Sequence, residues 1–324
     1  MRVLSVVLLG MAVVARAGAQ PAGDALGQVN AALQAGQADK ALALLRELTQ
    51  TTGNSAEAHN LHCRVLFTLE QWETANSECK EAVKLDPGSS TYHLWYGRTL
   101  GEVADRANFM SAYSLAKRAR AEFEEAVQID PRNAEALADL GEFYSSAPGV
   151  VGGGTDKAAG VASQLDQVDQ ARAHELRGAI ARENKDLGTA EKELKQAVAA
   201  SAHPAFQWMR LASFYRKAKR FPEMESAVQS GFAAAQRDPH AGVALFNGAS
   251  VLIKADRNRP LAIKMLEAYL ASPFTPTEEA PAFTARVWLA RLRSQTGDTE
   301  GARRERDAAL ALAEEYKPAQ DLKL

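Results

Sequence analysis

The strongest constraint on this chain is a period of thirty-four residues. The stretch ADKALALLREL around Ala41 lies over WETANSECKEAVKLDP around Ala75, and 75 − 41 = 34. A fixed period of this size means that one supersecondary unit is copied and stacked, because no single copy buries its own apolar face. From Gln20 onward the chain is rich in Ala, Leu, Glu, Lys, Arg and Gln and poor in runs of β-branched residues, the composition of helices. The segment from Ala56 to Ser89 shows the unit. His59, His62, Cys63 and Leu66 recur at helical spacing, Thr68 to Glu70 interrupt, and Trp72, Ala75, Cys79 and Ala82 form a second face ending at Asp86-Pro87. Small residues at 63, 75 and 82 let two antiparallel helices approach, and Pro87 stops the second because it has no amide proton to donate.

These spacings resemble the tetratricopeptide repeat, whose unit reads W-x2-L-G-x2-Y, then Ala, an aromatic, Ala and Pro. Trp208, Leu211, Ala212, Tyr215 and Phe221 match it, as do Leu140, Gly141 and Tyr144. The same skeleton returns in Gly97, Ala119, Phe123, Ala126 and Pro131, in Gly178, Ala190 and Ala197, and in Ala290, Ala302 and Ala309. The resemblance implies an all-α, right-handed superhelical solenoid of antiparallel helix pairs. About eight units are expected, starting near Ala22, Ala56, Ser90, Ala134, Ala171, Ala205, His240 and Phe283. The seventh has the weakest pattern, and Met224 in place of a small residue predicts looser packing in the sixth. The solenoid is expected over 20–316, with 317–324 as a tail and Arg303 to Leu324 read as a solvated cap and tail.

Met1-Arg2, the apolar run Val3 to Ala15 and the small residues Ala17-Gly18-Ala19 have the three-part layout of a cleavable secretory signal over 1–19. The run is shorter than the roughly 20 residues a bilayer requires, and no later stretch is apolar enough, so no span is expected in the mature chain. The Ala-x-Ala end fits bacterial export and places the protein in the periplasm, with secretion as the alternative. A net charge of −2 supplies no field for nucleic acid.

Two neighbouring units break the rule. The small residues of paired helices are ordinarily 12 apart, as in 75 − 63 and 190 − 178, but 119 − 97 = 22 and 158 − 141 = 17. The first insertion carries Phe109, Met110 and Tyr113; the second, Pro148 to Gly154, carries Gly149, Gly152, Gly153 and Gly154. Both fall on one edge of the stack. One reading is a partner site, since insertions collected on an edge mark binding faces. The other is an elongated hairpin with a tight loop packed under it.

Chemistry finds little support. A phosphate loop needs G-x4-G-K-[ST], and Gly154 is followed by Thr155, so Thr155-Asp156 reads instead as a helix N-cap. Cys63 and Cys79 are equidistant from the turn at Gln71, which allows a disulfide in an oxidising compartment and equally allows two buried free thiols. His59 and His62 beside Cys63 sketch a metal site but occupy core-facing places, and the packing role is expected. No cofactor, catalytic constellation or enzyme activity is expected.

In repeats of this kind the first helices line the concave face. Asn60, Arg64, Trp95, Arg98, Asp139, Glu142, Arg182, Arg210 and Arg216 are the expected partner-binding residues, with arginines beside Trp95 suited to carboxylates and aromatic groups. The expected function is a non-catalytic scaffold or adaptor of the cell envelope that binds a protein or extended peptide. The alternative is an accessory subunit binding or assembling peptidoglycan or polysaccharide.

Overall fold

A computed structural model describes residues 22–52, 55–272 and 278–324. The expected signal segment 1–19 lies outside them. Eight helix pairs follow one another: α1 (Ala22–Gln34) with α2 (Ala38–Thr52), α3 (Ala56–Thr68) with α4 (Trp72–Leu85), α5 (Ser90–Arg106) with α6 (Phe109–Ile129), and α7 (Ala134–Ser146) with α8 (Thr155–Leu165). Then come α9 (Gln170–Glu183) with α10 (Leu187–Ala200), α11 (Ala205–Lys217) with α12 (Phe221–Ala235), α13 (Gly242–Ala255) with α14 (Arg259–Ala271), and α15 (Ala282–Gln295) with α16 (Thr299–Leu310). A single turn, α17 (Lys317–Gln320), ends the chain, and the described residues hold no strand. The pairs stack as a right-handed all-α superhelix.

Local chemistry sets the helix starts. Ser55, Ser89, Asn133 and Asp169 each accept an amide proton from the first turn of the helix they precede, filling donors that have no partner inside the helix. The turn inside the hairpins is also copied. Gly36, Glu70, Lys185, Lys219 and Gly297 all take positive φ two residues before their second helix. Three of the five are not glycine and carry the strain of that conformation.

The small residues do what their spacing implies. Cys63, Ala75, Ala82, Ala190 and Ala302 have no exposed surface. Met224 is also wholly buried, so the looser sixth unit is not found; the large side chain there lies within the same core as Ala227, Met209 and Leu245. Gly154, not Thr155, precedes α8, and no side chain caps that helix.

The largest departure is at the ends. Val29, Leu33, Ala41, Leu45, Leu61 and Val65 share one hydrophobic core with Phe283, Val287, Ala309, Ala313, Tyr316 and Ala319. The first three helices and the last three therefore close on one another. The Asp39 amide donates to the Leu312 carbonyl at 3.3 Å, the Asp39 carboxylate accepts from the Glu314 amide at 2.8 Å, and the Tyr316 hydroxyl reaches Glu70 at 3.1 Å. Arg303 to Leu324 is thus no solvated cap and tail: Ala313 and Ala319 are fully buried and Tyr316 is 1% exposed.

Candidate functional site

Four of the residues expected in the groove, Arg64, Trp95, Arg98 and Asp139, meet around Trp95 on α5. The indole is 6% exposed, seated edge-on against Phe67 at 5.4 Å, with the Arg64 guanidinium 5.4 Å and the Arg98 guanidinium 4.7 Å from its ring. Each arginine holds a carboxylate. Arg98 donates to Asp139 at 2.6 Å and to Glu135 at 3.3 Å, joining α5 to α7. Arg64 donates through Nε to Glu278 at 2.6 Å, across 214 residues of sequence, and its Nη2 also pairs with Glu278. Burial works against the Arg98 cation, but the Asp139 carboxylate more than offsets it and holds the guanidinium charged. Next to it, burial raises the Glu279 carboxyl above the ordinary range, against the pull of Arg98.

The expected groove residues divide into two sets. Arg64, Trp95, Arg98 and Asp139 come together but are engaged with one another and with Glu278. Trp95 and Asn60, at 6% and 3% exposed, are not presented to a partner: the indole packs on Phe67 of the preceding hairpin, and the Asn60 Nδ2 is buried with no hydrogen-bond partner among the described residues. Further along, Arg182, Arg210, Arg216 and Glu142 all act on Lys217 at the end of α11. Burial first, and then repulsion from Arg182 and Arg216, lower the Lys217 ammonium below its ordinary range, while Glu142 opposes this. Arg210 is exposed over the Phe206 ring at 5.2 Å, and among the described residues Arg182 pairs only with its neighbour Glu183 at 3.1 Å. Arg216 Nε has no hydrogen-bond partner among the described residues. This stretch gathers four cations beside Glu142, Glu175, Glu183 and Glu279, and among the described residues a single ion pair, Arg182–Glu183, forms between the two sets.

The insertions resolve as an elongated hairpin with a loop packed beneath it. Helices α5 and α6 run for 17 and 21 residues, against 13 and 14 in the preceding pair. The glycine-rich segment forms a 3-10 turn, Gly149–Val151, whose Val151 carbonyl accepts from Arg120 at 3.4 Å and whose Gly152 carbonyl accepts from Lys157 at 2.9 Å. Gly152 takes φ +96°, and a Cβ on Gly153 would lie 1.8 Å from the Ala147 carbonyl oxygen. Two of these glycines are therefore demanded by the turn and by close backbone approach. Phe109, Met110 and Tyr113 stand at the end of the long hairpin, 83%, 76% and 40% exposed.

Cys63 and Cys79 form a disulfide that joins α3 to α4, with Cα atoms 5.3 Å apart. Among the described residues no group of three His, Cys, Asp or Glu side chains is placed to hold a metal ion. Four of the histidines, His59, His62, His93 and His174, face glutamates instead. His59 pairs with Glu78 at 2.6 Å and His174 with Glu193 at 2.7 Å, each 19 residues on. His93 pairs with Glu122 at 2.6 Å, 29 residues on, the same step plus the ten inserted residues. Sequence reasoning missed this repeated bridge between first and second helices, although its constant spacing was there to be found.

The described residues include no helix long and apolar enough to cross a membrane. No family model matches the chain. Its backbone superposes on yeast Tom70 with a TM-score of 0.54 and 15% identity, covering 96% of this chain and 65% of that one. The chain has the tetratricopeptide-repeat fold. In sequence it is similar to mouse Superkiller complex protein 3, 24% identical over 217 residues. That match takes in 64% of this chain and 13% of the mouse protein, so the chain spans a small fraction of its curated relative. A tetratricopeptide repeat protein from Parabacteroides merdae is similar at a TM-score of 0.47 and 10% identity, over 84% of this chain and 98% of that one.

Proposed function

We propose that this chain is a non-catalytic scaffold of the cell envelope that binds a protein or extended peptide on its concave face. The observation that carries the reading is the gathering of Arg182, Arg210, Arg216 and Lys217, of which only Arg182 forms an ion pair among the described residues. Repulsion among these groups is relieved by a carboxylate-bearing ligand, and planar guanidinium groups suit bidentate recognition of one. The binding of Glu278 by Arg64 illustrates the same chemistry within the chain. Export to the periplasm rests on the layout of residues 1–19.

The test is affinity capture from envelope extract with wild type, Arg182→Ala/Arg216→Ala and Arg64→Ala/Arg98→Ala. Loss of the same partner in the first double variant, with its fold intact by circular dichroism, supports the reading. Capture unchanged in that variant refutes it. The second double variant is the less clean probe, because removing Arg98 leaves Asp139 buried without its cation and costs stability. Cell fractionation checks the compartment; recovery in the cytosolic fraction with residues 1–19 retained removes the envelope assignment.

A further inference from the structure

Glu278 and Glu279 stand just before α15, yet they do not serve that helix. Acids belong beside the positive end of a helix, but α15 has no side-chain cap. The two carboxylates are engaged elsewhere. Arg64 of α3 holds Glu278 through Nε and Nη2, which leaves the Glu278 side chain 8% exposed. Besides burial, the charges of Arg98, Asp139, Arg210 and Glu135 act on Glu279, so one side chain senses α5, α7 and α11 together. A residue at the start of the eighth pair meets the first helices of the second, third, fourth and sixth only from the space between them. That space is the place of an extended ligand, and the chain has put its own acidic dipeptide there.

Joining the two ends does not require these contacts. The shared core of Leu45, Val65, Phe283 and Tyr316, with the bonds from Asp39 to Leu312 and Glu314, already does so. The backbone behind the acids is also fixed independently of them. The Ala280 carbonyl accepts from the Tyr269 hydroxyl, Ala280 is 1% exposed, and Pro281 is extended at φ −68°, ψ 144°. What Glu278 and Glu279 add is occupancy. Arg64 and Arg98 flank the Trp95 ring at 5.4 and 4.7 Å, a cradle that suits a carboxylate, and Glu278 fills the Arg64 side of it. Exchanging that carboxylate for one from another chain leaves the local charge balance and the hydrogen bonds of Arg64 unchanged, so no cation is left buried without a partner.

We infer that Glu278 and Glu279 are an autoinhibitory pair: they fill the Arg64–Trp95–Arg98 part of the inner face in the free chain, and an acidic peptide binds there by taking the place of Glu278 on Arg64. The inference rests on the concave-face binding proposed above and supplies its ligand class and its resting state. A site filled in most molecules binds in proportion to the fraction left open, so emptying it is read as a gain of affinity.

The full-length protein is titrated by fluorescence anisotropy with dye-labelled hexaglutamate amide at low salt, where charge contacts are least screened, and with hexaglutamine amide as the uncharged control. Glu278→Gln/Glu279→Gln, which keeps an oxygen for Arg64, is expected to bind hexaglutamate about tenfold or more tightly than wild type, with no gain for hexaglutamine. Adding Arg64→Gln should return the affinity to the wild-type level or below, and circular dichroism checks that each variant is folded. Equal affinity of wild type and Glu278→Gln/Glu279→Gln overturns the inference. So does a gain that survives Arg64→Gln, because it reports only the added positive charge, and so does hexaglutamate bound by neither protein. Arg182→Ala/Arg216→Ala separates the two readings. Binding lost in that variant but indifferent to Glu278 and Glu279 keeps the concave-face reading and sinks the autoinhibition, whereas a gain that needs Arg64 and not Arg182 or Arg216 keeps the autoinhibition and moves binding away from the cationic stretch.

Discussion

Tyr316→Ala tests whether the two ends of the chain are one cooperative unit. The ring is 1% exposed, packs against Phe283 at 4.7 Å between centroids, and belongs to the core shared by α1–α3 and α15–α17. Burial keeps the phenol protonated, so its hydroxyl donates to Glu70 while the Thr284 hydroxyl, 2.9 Å away, donates to it. Removing a buried aromatic ring costs about 3–5 kcal/mol, and Tyr316→Phe, which loses only the hydrogen bonds, costs about 1–2 kcal/mol. In an open stack each hairpin feels only its neighbours, and residues 38–68 would not register a change at 316. Closure predicts otherwise. Native-state hydrogen exchange read by mass spectrometry should show Tyr316→Ala accelerating α2 and α3 together with α15 and α16, leaving α9–α11 close to wild type. Acceleration confined to residues 282–324 refutes the closure.

Replacing Lys185 or Lys219 by Gly relieves a positive-φ side chain and should raise stability by up to about 1 kcal/mol in urea titrations, provided the turn is as strained as its φ values of 62° and 58° imply; a loss of stability speaks against that. Reducing the Cys63–Cys79 bridge, or Cys63→Ala/Cys79→Ala, opens a loop of sequence separation 16 and should cost about 3 kcal/mol, seen as a lower denaturation midpoint under reducing conditions. The hydrogen bond to Glu122 raises the His93 imidazolium above its ordinary value, against burial and with help from the Pro87 carbonyl. Since the folded value is the higher one, this stabilisation is complete below the unfolded value near 6.5 and is lost as pH rises through the folded one. His93→Gln should therefore differ most from wild type at acid pH, and the pH-dependent part of the difference should vanish as pH rises through the raised folded value; a difference independent of pH contradicts the pairing.

The hairpins were legible because their determinants are local. Ala22, Ala56, Ser90 and Ala134 open first helices as the period implies, and α9 and α15 start within one residue of expectation at Gln170 and Ala282. What escaped depends on accumulated geometry. Each hairpin rotates slightly against the last, and whether Glu278 arrives at Arg64, or Tyr316 at Glu70, is a sum over more than two hundred residues that no window of sequence contains. Trp95 and Asn60, which helical spacing alone places on an open face, are buried, the indole against Phe67 of the preceding hairpin. The remaining inner-face residues, Arg182, Arg210 and Arg216, lie where first helices put them, and only their electrostatic company distinguishes them from Arg98. The glycine-rich segment deceived for a different reason: glycine signals both freedom and tight approach, and Gly153 against the Ala147 carbonyl is the second.

A stack of hairpins is ordinarily indifferent to length, since one more or one fewer merely moves the boundary. Here Gly36 sits with Ala282 within 3.1 Å of where its Cβ would be, and Asp39 and Leu312 meet across a hydrogen bond. Duplicating or excising any intermediate hairpin would turn everything after it through one further step and carry α15–α17 away from α1–α3. The copy number has thereby become a geometric constant, and the chain has exchanged the easy growth of its repeat ancestry for a fixed perimeter.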